Sequence, residues 1–203
     1  MDVKITFIIP TIGRSTLKDT LLSLVNQTNS KWKAIVIFDG IEPTIKFPDS
    51  RIKIIKSPKL GEGVNSAGRV RNYGIKYATT PWIAFVDDDD SIKNTYVDTF
   101  LNEIKYNVDV IIFRMLSIHD DMYISLPPND VSNFYENYVG ISFALKREIF
   151  NHIMFEPSSS EDFKLLEKIR NNNYKIIISP YLLYFVRNYN HYYSDIFNRV
   201  FIN

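Results

Sequence analysis

The chain has 203 residues, 45% of them hydrophobic, which is enough to bury one substantial core and predicts a single domain. Its 24 Lys and Arg balance 23 Asp and Glu, so no broad basic surface is on offer to nucleic acid or an anionic membrane. Cysteine is absent, which removes disulfides, thiolate metal sites and a cysteine nucleophile together.

Met1 to Lys4 lacks a basic start, and the apolar run Ile5 to Ile9 is too short for a signal peptide; it reads as a first strand that stops at Pro10. Ser15 and Thr16 can cap a helix running to about Gln27, with Leu17, Leu21, Leu24 and Val25 on one face. Ala34 to Phe38 is a second strand ending at Asp39-Gly40, and Arg51 to Lys56 is a third, ending near Pro58. A helix from about Ser66 to Tyr77 leads into a fourth strand, Trp82 to Val86, which runs straight into Asp87-Asp88-Asp89-Asp90. Ser91 to about Tyr106 reads as a helix, Val108 to Arg114 as a strand and His119 to Asn137 as a long polar loop of the kind that often binds or covers a ligand. Val139 to Leu145 follows as a strand, Ser160 to about Asn171 as a helix, and Tyr174 to Ile178 and Leu182 to Val186 as two further strands. No run approaches the ~18 consecutive apolar residues of a membrane span. The aromatic stretch Tyr189 to Phe201 can pack back on the domain or lie against a membrane or partner. The expected location is cytoplasmic, peripheral to a membrane at most.

Strands alternating with helices predict an α/β domain with a mostly parallel sheet, whose ligands gather at the carboxyl ends of the strands, where the acid run sits. Adjacent carboxylates raise one another's pKa unless a cation or many N–H donors offset them, and a divalent metal does so economically. On an extended backbone Asp87 and Asp89 project to one side and can offer two hard oxygen ligands to Mg²⁺ or Mn²⁺. Asp90 reads more simply as the cap of a helix starting at Ser91. Asp39 suits an ordinary Asp-Gly turn or the ring N–H of a base, and Arg71 either a solvated helical face or a pyrophosphate. Glu161 and Asp162 follow Ser158-Ser159-Ser160, so a capping box and a catalytic carboxylate fit equally. His191 can ligate a metal or simply pack among tyrosines; His119 and His152 look ordinary.

In order, Ile8-Ile9-Pro10-Thr11-Ile12-Gly13-Arg14, Val36 to Gly40, Gly68 to Gly74, Phe85 to Asp90, Ser160 to Phe163, and His191 with Ser194 resemble the inverting glycosyltransferases of GT-A fold often called family two. The resemblance spans almost the whole chain. It implies a GT-A fold over residues 1–203: a Rossmann-like nucleotide-sugar half to about residue 90, then an acceptor and catalytic-base half with a smaller sheet of its own. It implies that Pro10, Thr11 and Arg14 line the nucleotide pocket, that Asp39 holds the base and that Arg71 sits beside the donor. Within the acid run, which looks like the family's DxD motif, Asp87 and Asp88 would face the donor and Asp89 would hold Mn²⁺ or Mg²⁺, with His191 completing the shell. Asp162 would be the general base, supported by Glu161. The implied donor is a nucleotide diphosphate-sugar, a UDP-sugar first and GDP- or dTDP-sugars after it; the acceptor is a glycan, lipid or protein. Gly13 stands where the family commonly has Asn, and Ile41 where it often has Ser. The rival reading is a catalytically silent GT-A domain that binds a nucleotide sugar. A phosphoryl-handling enzyme ranks lower, because no Gly-x-x-x-x-Gly-Lys loop is present.

Overall fold

The computed structural model describes residues 2–61, 66–119, 122–129 and 132–186. Among the described residues, nine strands form one sheet. β1 (Ile5–Thr11), β2 (Trp32–Asp39), β3 (Ile52–Ser57) and β4 (Trp82–Phe85) pair in parallel in the order β3-β2-β1-β4. The residues of β1 are buried throughout, as are all but one of β2, which is why these strands read as continuous apolar runs without alternation. α1 (Leu17–Val25) buries Leu17, Leu21 and Leu24 as its period predicts, and α2 (Ala67–Ile75) packs on β1 and β2.

The second half joins this sheet edge to edge. β8 (Phe143–Lys146) pairs antiparallel to β4 and then to β6 (Val110–His119); β6 runs parallel to β9 (Ile176–Phe185), and the short β5 (Ser91–Ile92) closes the far edge. The strands expected in a smaller separate sheet therefore extend the first one. α3 (Tyr96–Glu103) starts later than expected, because Ser91 and Ile92 are drawn into pairing with Phe185 and Tyr184. The expected loop after residue 119 contains β7 (Met122–Leu126), which takes over the edge of β6 that β8 leaves. The two strands expected over 174–186 are one, broken by a bulge: three residues, Ser179 to Tyr181, face a single residue of β6, and Pro180 is tolerated there because the ladder asks it for no N–H. α4 (Glu161–Asn171) follows as expected.

Phe85, the last residue of β4, ties these halves together. Its ring meets Phe143 of β8 at 5.7 Å and Phe155, on the segment leading to α4, at 5.2 Å, both edge to face.

Candidate active site

A cleft of about 680 Å³ opens at the carboxyl ends of β1, β2 and β4. Pro10 and Thr11 reach it as the last residues of β1, Asp39 as the last of β2, and Asp87, Asp88 and Asp89 as the loop after β4. Arg14 enters from the turn before α1, Arg71 from α2, and Glu161 and Asp162 from the first turn of α4. All the candidate residues expected from the sequence thus border one cavity, except His191, which lies outside the described residues.

The acid run is not extended. The Asp90 N–H donates to the Asp87 carbonyl at 3.0 Å, so the chain makes a turn. Each carboxylate finds a donor, and Asp88 and Asp89 share one in Arg14 Nη1. Arg71 Nη2 donates to Asp87 Oδ1 at 2.5 Å; Thr11 Oγ1 and Arg14 Nη1 donate to Asp88 at 2.5 and 2.9 Å; Arg14 Nη1 also reaches Asp89 Oδ2 at 2.8 Å. Burial raises the Asp88 pKa, with Thr11 and Arg14 opposing it. Asp90 caps no helix. It turns inward to accept from the Tyr184 hydroxyl at 2.7 Å, and that hydroxyl accepts the Asp87 N–H at 3.1 Å. Two guanidiniums and two hydroxyls therefore do much of the offsetting that the sequence alone assigned to a metal.

Among the described residues, no three His, Asp or Glu side chains converge into a metal-holding group. Asp89 nonetheless presents a hard oxygen donor on the cleft wall, which fits an ion that brings phosphate and water ligands with it rather than one caged by protein.

Asp39 is 3% exposed. The Leu60 and Gly61 N–H groups donate to its two oxygens at 2.7 and 3.0 Å, and Lys59 Nζ lies 3.1 Å away. Burial pushes its pKa up, but these donors more than compensate and hold the carboxyl below its ordinary value. The chain turns at Gly40, as the turn reading of Asp39 expects, and Asp39 also borders the cleft.

On the opposite wall no capping box forms, because the N-cap Ser160 makes no side-chain cap to α4. Glu161 instead accepts the Gly68 N–H at 3.0 Å, and Arg71 Nη1 donates to its other oxygen. Asp162 Oδ1 is buried without a hydrogen-bond partner and lies 3.7 Å from Arg71 Nη1. Burial pushes the Asp162 pKa up to about 7; Arg71 opposes the shift, and Asp87 and Glu161 add to it. Lys59, Tyr184 and the loop residues Asn137 and Val139, none of them marked by a motif, complete the surroundings. A tyrosine late in a strand and a valine in a loop carry no local signature.

A parallel Rossmann-like half continued by an antiparallel strand, with acids at the strand ends, is the GT-A architecture. The profile described as Glycosyl transferase family 2 matches residues 6–160, and the chain belongs to that family. The match carries Asp39 and the acid turn and ends immediately before α4. Glycosyltransferase GlyA of Streptococcus pneumoniae is 27% identical over 92% of this chain and 31% of its own length. The UDP-Glc:alpha-D-GlcNAc-diphosphoundecaprenol beta-1,3-glucosyltransferase WfgD of Escherichia coli is 30% identical over 44% of this chain and 36% of its own. This chain therefore spans about a third of the length of these two relatives. The structure of S. aureus TarS 1-349 superposes with a TM-score of 0.70 at 18% identity, covering 90% of this chain and 60% of that one. The same TarS fragment with UDP-GlcNAc gives a TM-score of 0.68, again at 18% identity, covering 94% of this chain and 61% of that one.

Proposed function

We propose that this chain transfers a sugar from a nucleotide diphosphate-sugar to an acceptor hydroxyl, inverting the anomeric centre, with Asp162 as general base. One observation carries the reading: Asp162 lines the same cleft as Asp39 and the acid turn, with one carboxylate oxygen buried without a hydrogen-bond donor and a pKa raised to about 7. A purely structural carboxylate is ordinarily satisfied, whereas a base needs a free lone pair and a pKa near the working pH.

The cleft divides by chemistry. On the β1, β2 and acid-turn side, Ser57, Lys59, Leu60 and Gly61 together fill the about four lone-pair sites of the Asp39 carboxylate, so the ring N–H of a pyrimidine or guanine base would take the place of the half-exposed Lys59 ammonium. Arg14 and Lys59 supply positive charge for the diphosphate on the same side. A divalent cation, Mn²⁺ or Mg²⁺, held by Asp89, would neutralise charge on the departing diphosphate when bound. On the α4 side, Asp162 takes the proton of the acceptor hydroxyl as its oxygen attacks the anomeric carbon, opposite the carbon–oxygen bond to the diphosphate that breaks. A single displacement of this kind inverts configuration. The names of WfgD and of the TarS complexes make a UDP-sugar the first donor to test.

The test is a thermal-shift panel of UDP-, GDP- and dTDP-sugars with and without Mn²⁺, followed by nucleoside diphosphate release from the donor that binds. Asp162→Asn is expected to keep the thermal shift and lose about 10²–10⁴-fold in release. Donor binding with no release by the parent protein would favour the silent-domain reading; release undiminished in Asp162→Asn would remove Asp162 as base.

A further inference from the structure

Arg71 borders the cleft, yet its side chain is only 3% exposed, and its fork is committed elsewhere. Nη2 holds Asp87 of the acid turn and Nη1 holds Glu161 of α4, while Asp162 lies 3.7 Å from Nη1. The Phe155 ring lies 5.6 Å from the guanidinium carbon. Burial alone would weaken the arginine's hold on its proton, but the surrounding Asp87, Asp162 and Glu161 raise its pKa. Three segments separated in sequence thus converge on one charge.

Glu161 completes the bracket from the other side. Its second oxygen accepts the Gly68 N–H at the start of α2, and a Cβ at residue 68 would stand 2.6 Å from that oxygen and 2.8 Å from Phe155 Cβ. A glycine is needed there for the carboxylate to come so close. Arg71 and Gly68 belong to the same helix, so Glu161 is clamped to α2 at two points, and Asp162 follows it directly in the chain.

We propose that Arg71 is a positioning residue and not a donor contact: with Glu161 it forms a strut that fixes the acid turn and Asp162 relative to each other across the cleft. The proposal rests on the reading of Asp162 as the base. A lysine could not serve equally, because a single ammonium lacks the planar fork that spans two carboxylates. The strut also governs the charge that Asp162 feels. The groups around it are Arg71 from α2, Asp87 from the acid turn and Glu161 from its own helix, and the cation opposes the two anions.

The test combines three variants with a readout that needs no acceptor. Carboxyl NMR titration of the aspartate-labelled, ligand-free protein gives the Asp162 midpoint, assigned by its loss in Asp162→Asn. Glu161→Gln keeps an acceptor for Gly68 and Arg71 but removes a charge, and is expected to lower that midpoint by about one pH unit. Arg71→Lys is expected to raise it, to lower nucleoside diphosphate release by about 10²-fold, and to leave the calorimetric affinity for UDP, GDP or dTDP, whichever the parent binds, within about threefold. An Arg71→Lys protein that loses tenfold or more in nucleotide affinity at an unmoved midpoint would make Arg71 a donor contact and overturn the strut. Should Arg71→Lys not fold, an unmoved midpoint in Glu161→Gln overturns it alone. Undiminished release in Asp162→Asn refutes the base while leaving the strut to be judged on affinity and midpoint.

Discussion

Asp162 shows what burial does to one carboxyl. Its folded pKa of about 7 lies above the ordinary aspartate value, so between those two pH values the folded protein binds a proton that the unfolded chain gives up. Stability from this group is accordingly full at low pH and declines as pH rises towards 7. Asp162→Asn removes the ionisation without changing shape, and is expected to flatten that decline and to melt at least about 4 °C above the parent at pH 8, measured by calorimetric scans across pH. A variant that melts lower at pH 8 would contradict the cost assigned to this carboxylate. For activity the sign is opposite: transfer should rise with pH through a midpoint near 7 in kcat/KM, as a base must be ionised to work. Gly13 is informative at the same scale. It has φ +85°, a left-handed region that glycine adopts without strain, and a Cβ there would stand 2.9 Å from Ile41 Cδ1, so glycine at 13 fits a turn that carries Ile41 beside it.

At the scale of elements, the acid turn depends on a strand nearly 100 positions away. Tyr184 is fully buried in β9, and burial together with the charges of Asp90 and Asp87 keeps its phenol protonated, so its hydroxyl stays a donor to Asp90. Tyr184→Phe is expected to cost about 1–3 kcal/mol in urea denaturation, because two buried hydrogen bonds lose their shared partner, and to weaken nucleotide affinity as the turn loosens. Unchanged stability and affinity would mean the turn holds itself. The strands were legible wherever they were β-branched and buried on both faces, as in β1, β2 and β4. β7 was not, since its five residues lie between polar segments and Pro127-Pro128, and its identity comes from pairing with Met115 to His119. β9 read as two strands for a sound local reason, Pro180, whose bulge only the partner strand explains. The acid run was located correctly but given the wrong backbone shape, because the Tyr184 hydroxyl that holds the turn is invisible locally.

For the molecule as a whole, the junction between β4 and β8 is decisive. Phe85 packs at that junction and lies two residues before Asp87, so Phe85→Ala is expected to cost about 3–5 kcal/mol and to lower the melting of both halves in one transition. Hydrogen exchange should then show faster opening in β1 and β6 alike; acceleration confined to β8 would mean the halves unfold separately. Trp82, Ile83 and Ala84 pair directly with Lys146, Leu145 and Ala144, so the parallel strand that leads into the acid turn and the strands of the second half share successive rungs of a single ladder. A ladder of this kind has no hinge line along which its two sides can swing. Any adjustment to incoming molecules of different girth must therefore fall to side chains and connecting loops at the rim, with the reacting groups riding on a frame that stays still.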